Sequence, residues 1–143
     1  MLKNTTQTHR HRKQGQSLVE VALILPILLI LLSGLIDFGR AYYAMVALND
    51  SAEEGAAYAS LWPSDYEEIQ SRTAAATTGV VSFQPESVSV TSPPGFPNVS
   101  NGTPITVTVN YTLSLYTPFA NTIFPEGVLE VQGKAVQPIM DVR

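Results

Sequence analysis

Residue types that could support catalysis or bind a metal are scarce in this chain of 143 residues. There is no cysteine, and both histidines, His9 and His11, lie in a basic N-terminal tail. The commonest general base, the commonest metal ligand and any thiol nucleophile are therefore missing from the sequence after that tail. The sequence also contains no glycine-rich phosphate loop and no Ser/His/Asp set. We expect no enzymatic activity, no cofactor, no metal site and no small-molecule substrate.

One carboxylate, Glu20, stands in an unusual position. It lies within an almost unbroken apolar run, residues 18–36, and Gly15 marks the junction between the basic tail and this run. As a helix the run would span roughly 28 Å, which is close to the thickness of a bilayer's hydrocarbon core. A charged side chain costs about 2–3 kcal/mol near the bilayer centre and less near its edge. The position of Glu20 therefore predicts either a partner for its charge or access to the membrane interface.

The charges are distributed unevenly along the chain. Residues 1–15 carry four basic side chains and no acidic one, whereas the chain from Gln16 onward has four basic and twelve acidic residues. Because basic residues next to a membrane segment stay cytoplasmic, we expect the N-terminus inside and the remainder outside, in a single-pass protein of the cytoplasmic membrane. The acidic outer part argues against nucleic acid as a partner, because phosphate binding needs a basic face.

Four short motifs resemble those of a known family. In chain order they are Arg-Lys-Gln-Gly-Gln-Ser-Leu-Val-Glu at residues 12–20, Leu-Pro at 25–26, Asp-Phe-Gly-Arg at 37–40 and Glu-Glu-Gly-Ala-Ala-Tyr-Ala at 53–59. Together they resemble the TadE-like family, which comprises minor pilins, or pseudopilins, of the tight-adherence (Flp) pilus, a type IV-like system. Beyond residue 60 the resemblance extends only to the general layout of the chain.

The resemblance implies processing and assembly. A prepilin peptidase, which is a membrane aspartic protease, would cut the bond after Gly15 and leave Gln16 as the mature N-terminus. The new ammonium would lie one helical turn from Glu20 and could pair with it, or with the Glu20 of a neighbouring subunit, where it would set the register of assembly. The implied partners are the peptidase, other pilin subunits and the pilus assembly platform. Because many type IV pilins begin with phenylalanine, a terminal glutamine leaves N-methylation open.

Other interpretations of the N-terminal region remain open. One is an ordinary cleaved secretory signal, although the apolar run is longer than usual and the nearest small-residue cleavage site, residues 41–44, is weak. Another is an uncleaved anchor in which Glu20 reaches the membrane interface. The rest of the chain would then be a surface binding module that recognises carbohydrate or protein. That alternative predicts exposed Tyr and Phe side chains clustered on the sheet or loops.

The apolar run predicts the first half of a longer helix. Pro26 removes one backbone hydrogen bond within the run and predicts a kink. The helix should end near Leu61, because the next residue precedes Pro63 and is biased out of the helical region. Just beyond the run, four side chains are placed like the outer membrane boundary and its aromatic belt: Asp37, Arg40, Tyr42 and Tyr43.

An apolar stripe continues along the helix beyond the run. Its members recur at spacings of three and four residues, which predicts that they form one buried face: Phe38, Tyr42, Met45, Ala52, Ala56 and Ala59. Acidic side chains occupy much of the other side. This pattern is typical of a structural face and predicts that the upper half of the helix packs on a globular head.

The head is predicted to begin with a second helix and to continue with strands. Ser64 and Glu67 form a capping box that should open a helix ending by Gly79. The periodicity then changes to two and predicts antiparallel strands at residues 87–91, 105–115 and 128–138. Gly133 should interrupt the last strand. The expected fold is α+β, with the long helix packed on a small antiparallel sheet as in a pilin.

These elements predict four parts of the chain. They are a cleaved cytoplasmic leader at residues 1–15, a transmembrane part of the helix at 16–37, an extramembrane part of the helix at 38–62 and a globular head at 63–143. The membrane is therefore an expected partner of the protein, through the transmembrane part of the helix.

Overall fold

The structure, a computed structural model, describes residues 10–140 except positions 78, 80, 99 and 119, and of residues 10–14 and 125 it describes the backbone. Residues 1–9 of the predicted leader lie outside the described residues. The first element is one helix of 52 residues, α1 (Arg10–Leu61). It passes through Pro26 and ends where Trp62 and Pro63 predicted, with the Trp62 amide donating the last hydrogen bond to the Tyr58 carbonyl. The kink at Pro26 stays a prediction.

The remaining elements build a small sheet beside the upper half of α1. In chain order they are α2 (Tyr66–Ala75), β1 (Val88–Thr91), β2 (Pro104–Ser114), α3 (Ala120–Ile123) and β3 (Val128–Pro138). Short 3-10 turns precede β1 and β3. In the described part of the chain, the strands form one antiparallel sheet in the order β1-β2-β3. The predicted α+β fold, a long apolar helix packed on a small antiparallel sheet, is confirmed.

The central strand shows why the period of two predicted the sheet well. Along β2, Ile105, Val107 and Val109 are buried against α1, whereas the threonines between them are less buried. One face of the strand therefore joins the core and the other is partly open to solvent. β2 ends at Ser114, so Leu115, which continued the predicted alternation, lies outside the strand.

β3 differs from its prediction at Gly133. The strand is continuous there, with Gly133 opposite Val109 of β2. A Cβ atom at this position would overlap the backbone of Leu48 on α1. Gly133 therefore does not interrupt the strand but allows it to pass directly over the helix, and a glycine in a strand often marks such a close approach of two backbones.

The buried face of α1 is only partly the predicted one. The three alanines of the stripe are buried, but Phe38, Tyr42 and Met45 are exposed. The buried face runs instead through small side chains and Leu48: Ala44, Leu48, Ser51, Ala52, Gly55, Ala56 and Ala59. Two adjacent faces of this segment are apolar, and helical periodicity does not reveal which one meets the sheet. The sheet packs on the alanine face, because small side chains let it approach the helix closely.

The second helix begins one residue later than predicted. The N-cap of α2 is Asp65 rather than Ser64, because an Asp65 carboxylate oxygen accepts a hydrogen bond from the Glu68 amide. α2 crosses α1 at Gly55, where an added Cβ would overlap the hydroxyl of Thr73. The buried hydroxyl of Ser51 donates to the Thr73 carbonyl at the same crossing. The small residues Ser51 and Gly55 thus allow α1 to come into direct contact with α2.

Candidate functional site

The first part of the candidate site is one exposed turn of α1. The Nε2 atom of Gln16 donates a hydrogen bond to Oε1 of Glu20 over 3.2 Å, so both side chains lie on the same face of the helix. An added Cβ at Gly15 would meet no atom within 4 Å among the described residues. The bond between Gly15 and Gln16 therefore has open space around it, and Glu20 can be reached by another molecule.

The second part is the surface of the apolar run. Its large aliphatic side chains are exposed on all sides of the helix, from 40 % for Ile30 to 71 % for Leu18. In the described part of the chain, the most apolar 18-residue window has no buried residue, and the helix is long and apolar enough to cross a membrane. An apolar surface of this extent is unfavourable in water. The run requires lipid or other apolar helices around it.

The third part begins where the run ends, at the buried carboxylate of Asp37. Its Oδ2 atom accepts hydrogen bonds from the Thr117 amide and hydroxyl, both at 2.7 Å, and from the Tyr116 amide at 2.8 Å. The Tyr116 amide also lies 3.0 Å from Oδ1. Hydrogen bonds to an ionised acceptor are stronger than neutral ones. Asp37 therefore ties the chain that leaves β2 to the middle of α1.

Arg40 completes this arrangement from the next turn of the helix. Its Nη1 atom lies 3.4 Å from Oδ1 of Asp37 and donates to the Ser114 carbonyl over 3.0 Å. The guanidinium also stacks over the Tyr116 ring, 4.1 Å from the ring centroid. We call the set of Asp37, Arg40, Tyr116 and Thr117 the Asp37 clasp. It holds the lower end of the head against α1 through charge-assisted hydrogen bonds and a cation–π contact.

The predicted site residues thus fall into separate groups along one helix. Gln16 and Glu20 are together near its start, Pro26 is inside the apolar run, and Asp37 and Arg40 are together at the end of the run. Tyr42 and Tyr43 are exposed on the following turn. The outer membrane boundary at these residues stays a prediction, as do the cleavage after Gly15 and the assembly role of Glu20.

The clasp is the part that sequence reasoning missed. The sequence pattern placed Asp37 and Arg40 at the outer membrane boundary and indicated no partner for them in the head, whereas their main partners are 74 to 80 residues further along the chain. Two of those partners are backbone amides, which every residue except proline possesses. As for metal binding, no three His, Cys, Asp or Glu side chains come together in the part of the chain that the structure describes.

Comparison with known proteins gives one family for the segment that contains these groups. No curated protein and no solved structure matches the chain. The family model described as TadE-like protein matches residues 15–57, from the predicted cleavage site to the upper half of α1. Residues 15–57 are therefore a TadE-like segment, and the chain is consistent with a TadE-like protein of the tight-adherence pilus system.

Proposed function

We propose that the chain is a minor pilin-like structural subunit of a tight-adherence pilus or a related secretion system. A prepilin peptidase cuts the bond between Gly15 and Gln16 on the cytoplasmic side of the membrane, and the head lies outside. The trimmed subunit then joins a filament through its apolar helix, in contact with other pilin subunits and the assembly platform. Its work is assembly, priming or tip function, and it turns over no substrate.

One observation carries the proposal. A single continuous helix contains Gly15, the exposed apolar run and the face that packs on the head, and the family model matches this same stretch. A helix of this kind supports a subunit that is held in the membrane first and in a filament afterwards, because both surroundings are apolar. Its exposed run supplies a surface for either of them.

The pairing of Glu20 with a free amine gives the proposal its chemistry. An isolated carboxylate is unfavourable in lipid, and trimming supplies an ammonium on Gln16, whose side chain already reaches Glu20. In a filament the ammonium of one subunit faces the Glu20 of its neighbour. Removing one partner from a buried ion pair leaves an uncompensated charge and costs about 3–5 kcal/mol. The pair therefore selects one axial alignment of neighbouring helices over the others.

The first experiment measures processing. The mass of the chain is determined from cells that contain the peptidase, for the wild type, for Gly15→Val and for Gly39→Val. Both glycines are in α1 and have open space around them, so the two substitutions should change the stability of the helix by similar amounts. The wild type and Gly39→Val should begin at Gln16, whereas Gly15→Val should keep the leader. Retention of residues 1–15 by the wild type would contradict the proposal.

The second experiment measures incorporation. Filaments are sheared from cells that express the wild type, Glu20→Gln or Glu53→Gln, and the amount of each subunit in the filament fraction is compared. Glu53 is an exposed acid on the same helix outside the apolar run, so its variant controls for the loss of one charge. Glu20→Gln should lower incorporation by about tenfold or more, because a lost pair of about 3–5 kcal/mol exceeds the roughly 1.4 kcal/mol of a tenfold change. Equal incorporation of the two variants would remove the role assigned to Glu20.

The same experiments address the alternative, an uncleaved anchored binding module for carbohydrate or protein. That alternative predicted an exposed cluster of Tyr and Phe on the sheet or loops. In the described strands the aromatic residue is Tyr111, and it is half-buried. On the loops of the head, the exposed aromatic side chains include Tyr116 and Phe124 at the end nearest the apolar run. An intact N-terminus together with absence from sheared filaments would favour the alternative.

A further inference from the structure

The loop that follows β2 forms an apolar surface at the end of the head nearest the apolar run. We call the described residues 115–118 and 120–124, which include α3, the lower loop. An apolar groove of about 280 Å³ lies between this loop and α1. Its walls include residues from both elements: Gly34, Phe38 and Ala41 from α1, and Leu115, Ile123 and Phe124 from the lower loop. We call it the lower groove.

The side chains around the lower groove are unusually exposed for a head that faces water. Ile123 is 76 % exposed, Phe38 is 70 % exposed and Phe124 is 37 % exposed. The sequence from residue 115 to residue 125 contains no charged side chain. Contiguous apolar surface of this kind marks an interaction site. It is also continuous with the exposed aliphatic surface of the apolar run, because Ile30 and Leu31, four and three residues before Gly34, lie on the same face of α1 and are themselves exposed.

The position of the lower loop along α1 identifies what covers it. The Asp37 clasp fixes the loop at the level of Asp37, which lies 21 residues beyond Gln16. This distance along the helix is roughly 32 Å, and the hydrocarbon core of a bilayer is about 30 Å thick. The contact reaches one turn further into the run, where an added Cβ on Gly34 would lie 3.9 Å from the Thr117 hydroxyl. With the run across a bilayer and Gln16 at the inner edge of its core, the lower loop would be at the depth where acyl chains meet headgroups.

We propose that the lower loop is a second membrane contact of this protein. With the apolar run across a bilayer, Ile123 and Phe124 insert at the interface of the outer leaflet, and a lipid acyl chain occupies the lower groove. The proposal rests on the run crossing a membrane and is independent of cleavage after Gly15. A single helix leaves its tilt in the bilayer free. The second contact restricts this tilt and holds the lower end of the head against the bilayer.

Tryptophan fluorescence tests this proposal in the full-length chain. The chain has one tryptophan, Trp62, at the opposite end of the upper half of α1. Two variants move the fluorophore to the loop, Trp62→Phe with Ile123→Trp and Trp62→Phe with Phe124→Trp. A control variant, Trp62→Phe with Val136→Trp, places it on the sheet at another exposed apolar position. Each protein is reconstituted into phosphatidylcholine vesicles, with or without bromine on the acyl chains near the headgroup.

The proposal predicts that tryptophan in the lower loop and tryptophan elsewhere in the head respond to different quenchers. Tryptophan at position 123 or 124 should be quenched by brominated lipid and shielded from iodide in the aqueous phase. Trp62 and tryptophan at position 136 should be quenched by iodide and unaffected by brominated lipid. Flotation of the vesicles with the protein reports separately that the run is inserted. Quenching of positions 123 and 124 by iodide alone, in vesicles that carry the protein, would overturn the proposal.

Coverage by a second copy of the chain gives a different result that would also overturn it. Brominated lipid would then have no effect at positions 123 and 124, and shielding from iodide would increase with the amount of protein per vesicle. The lipid proposal predicts shielding that is independent of this amount. Because the vesicles contain no peptidase, none of these outcomes depends on the proposed function.

Discussion

Residues 18–36 and residues 44–59 belong to the same helix, yet they expose and bury opposite kinds of side chain. In the first segment the large Leu, Ile and Val side chains are exposed around the whole circumference. In the second, one face of small residues with Leu48 among them is buried against the sheet and α2. Large side chains on every face suit a fluid apolar medium, whereas small side chains on one face permit close packing with a fixed partner.

The Asp37 clasp lies where the two segments meet. It joins α1 to the chain that leaves β2 and so prevents the lower end of the head from separating from the helix. Without it, the packing of the sheet on the alanine face would be the main remaining contact between the head and α1. The difference between the two segments therefore predicts that substitutions on the buried face above the clasp destabilise the head and that equal substitutions in the apolar run do not.

The largest difference is expected between two leucines of the one helix. Leu48→Ala removes a fully buried side chain from the core and should lower the free energy of unfolding of the head by about 3–4 kcal/mol. Leu28→Ala changes an exposed residue of the apolar run and should leave that free energy within about 0.5 kcal/mol of the wild type. Urea unfolding in detergent micelles, followed by Trp62 fluorescence, measures both. Equal losses of unfolding free energy in the two variants would contradict the difference between the two segments.

A slightly smaller effect is expected from the glycine at which β3 crosses α1. In Gly133→Val the new side chain would overlap the backbone of Leu48, and strand and helix must separate, at a cost of about 2–3 kcal/mol. Gly39→Val also places a side chain beside a helical backbone, but in open space. The same urea titration should show the loss for Gly133→Val alone. If the Gly133→Val head were as stable as the wild-type head, the close approach would not be required.

The smallest of the three effects sharpens the role of the clasp. Asp37→Asn keeps the shape of the side chain, but its amide group must either face the amides of Tyr116 and Thr117 or leave one of their hydrogen bonds unmade. The expected loss is about 2 kcal/mol, because hydrogen bonds to a charged acceptor contribute roughly 1.5–3 kcal/mol. Asp50→Asn, on an exposed part of the same helix, is the matched control. Hydrogen exchange should also show faster exchange of the two clasp amides in Asp37→Asn only.

Much of the fold followed from the sequence because local signals agreed with the packing. The Trp-Pro pair at residues 62–63 ended the long helix, and the alternation of β2 gave both its position and its buried face. The spacing of Gly15 and Glu20 and the motif at residues 37–40 also led to the family that the comparison found. These features depend on residues close in sequence, which is why sequence reasoning recovered them.

The features that were missed depend on contacts between distant parts of the chain. Asp37 is held by backbone amides about 80 residues away. Because nearly every residue has a backbone amide, residue types do not indicate which amides bind a carboxylate. The choice of the alanine face over Phe38 and its neighbours, and the place of Gly133, depend on how closely the sheet approaches the helix. Helical periodicity finds apolar faces, but it does not show which one a sheet selects.

We propose that the lower half of α1 lies in a membrane, whereas its upper half packs on the head. Because the chain contains no cysteine, a single cysteine can be placed at Leu28 or at Glu53, both exposed on α1, and treated with a membrane-impermeant maleimide in intact membranes. The account predicts rapid labelling of Glu53→Cys and labelling of Leu28→Cys only after the membrane is dissolved in detergent. Labelling of Leu28→Cys in intact membranes at the rate of Glu53→Cys would contradict it.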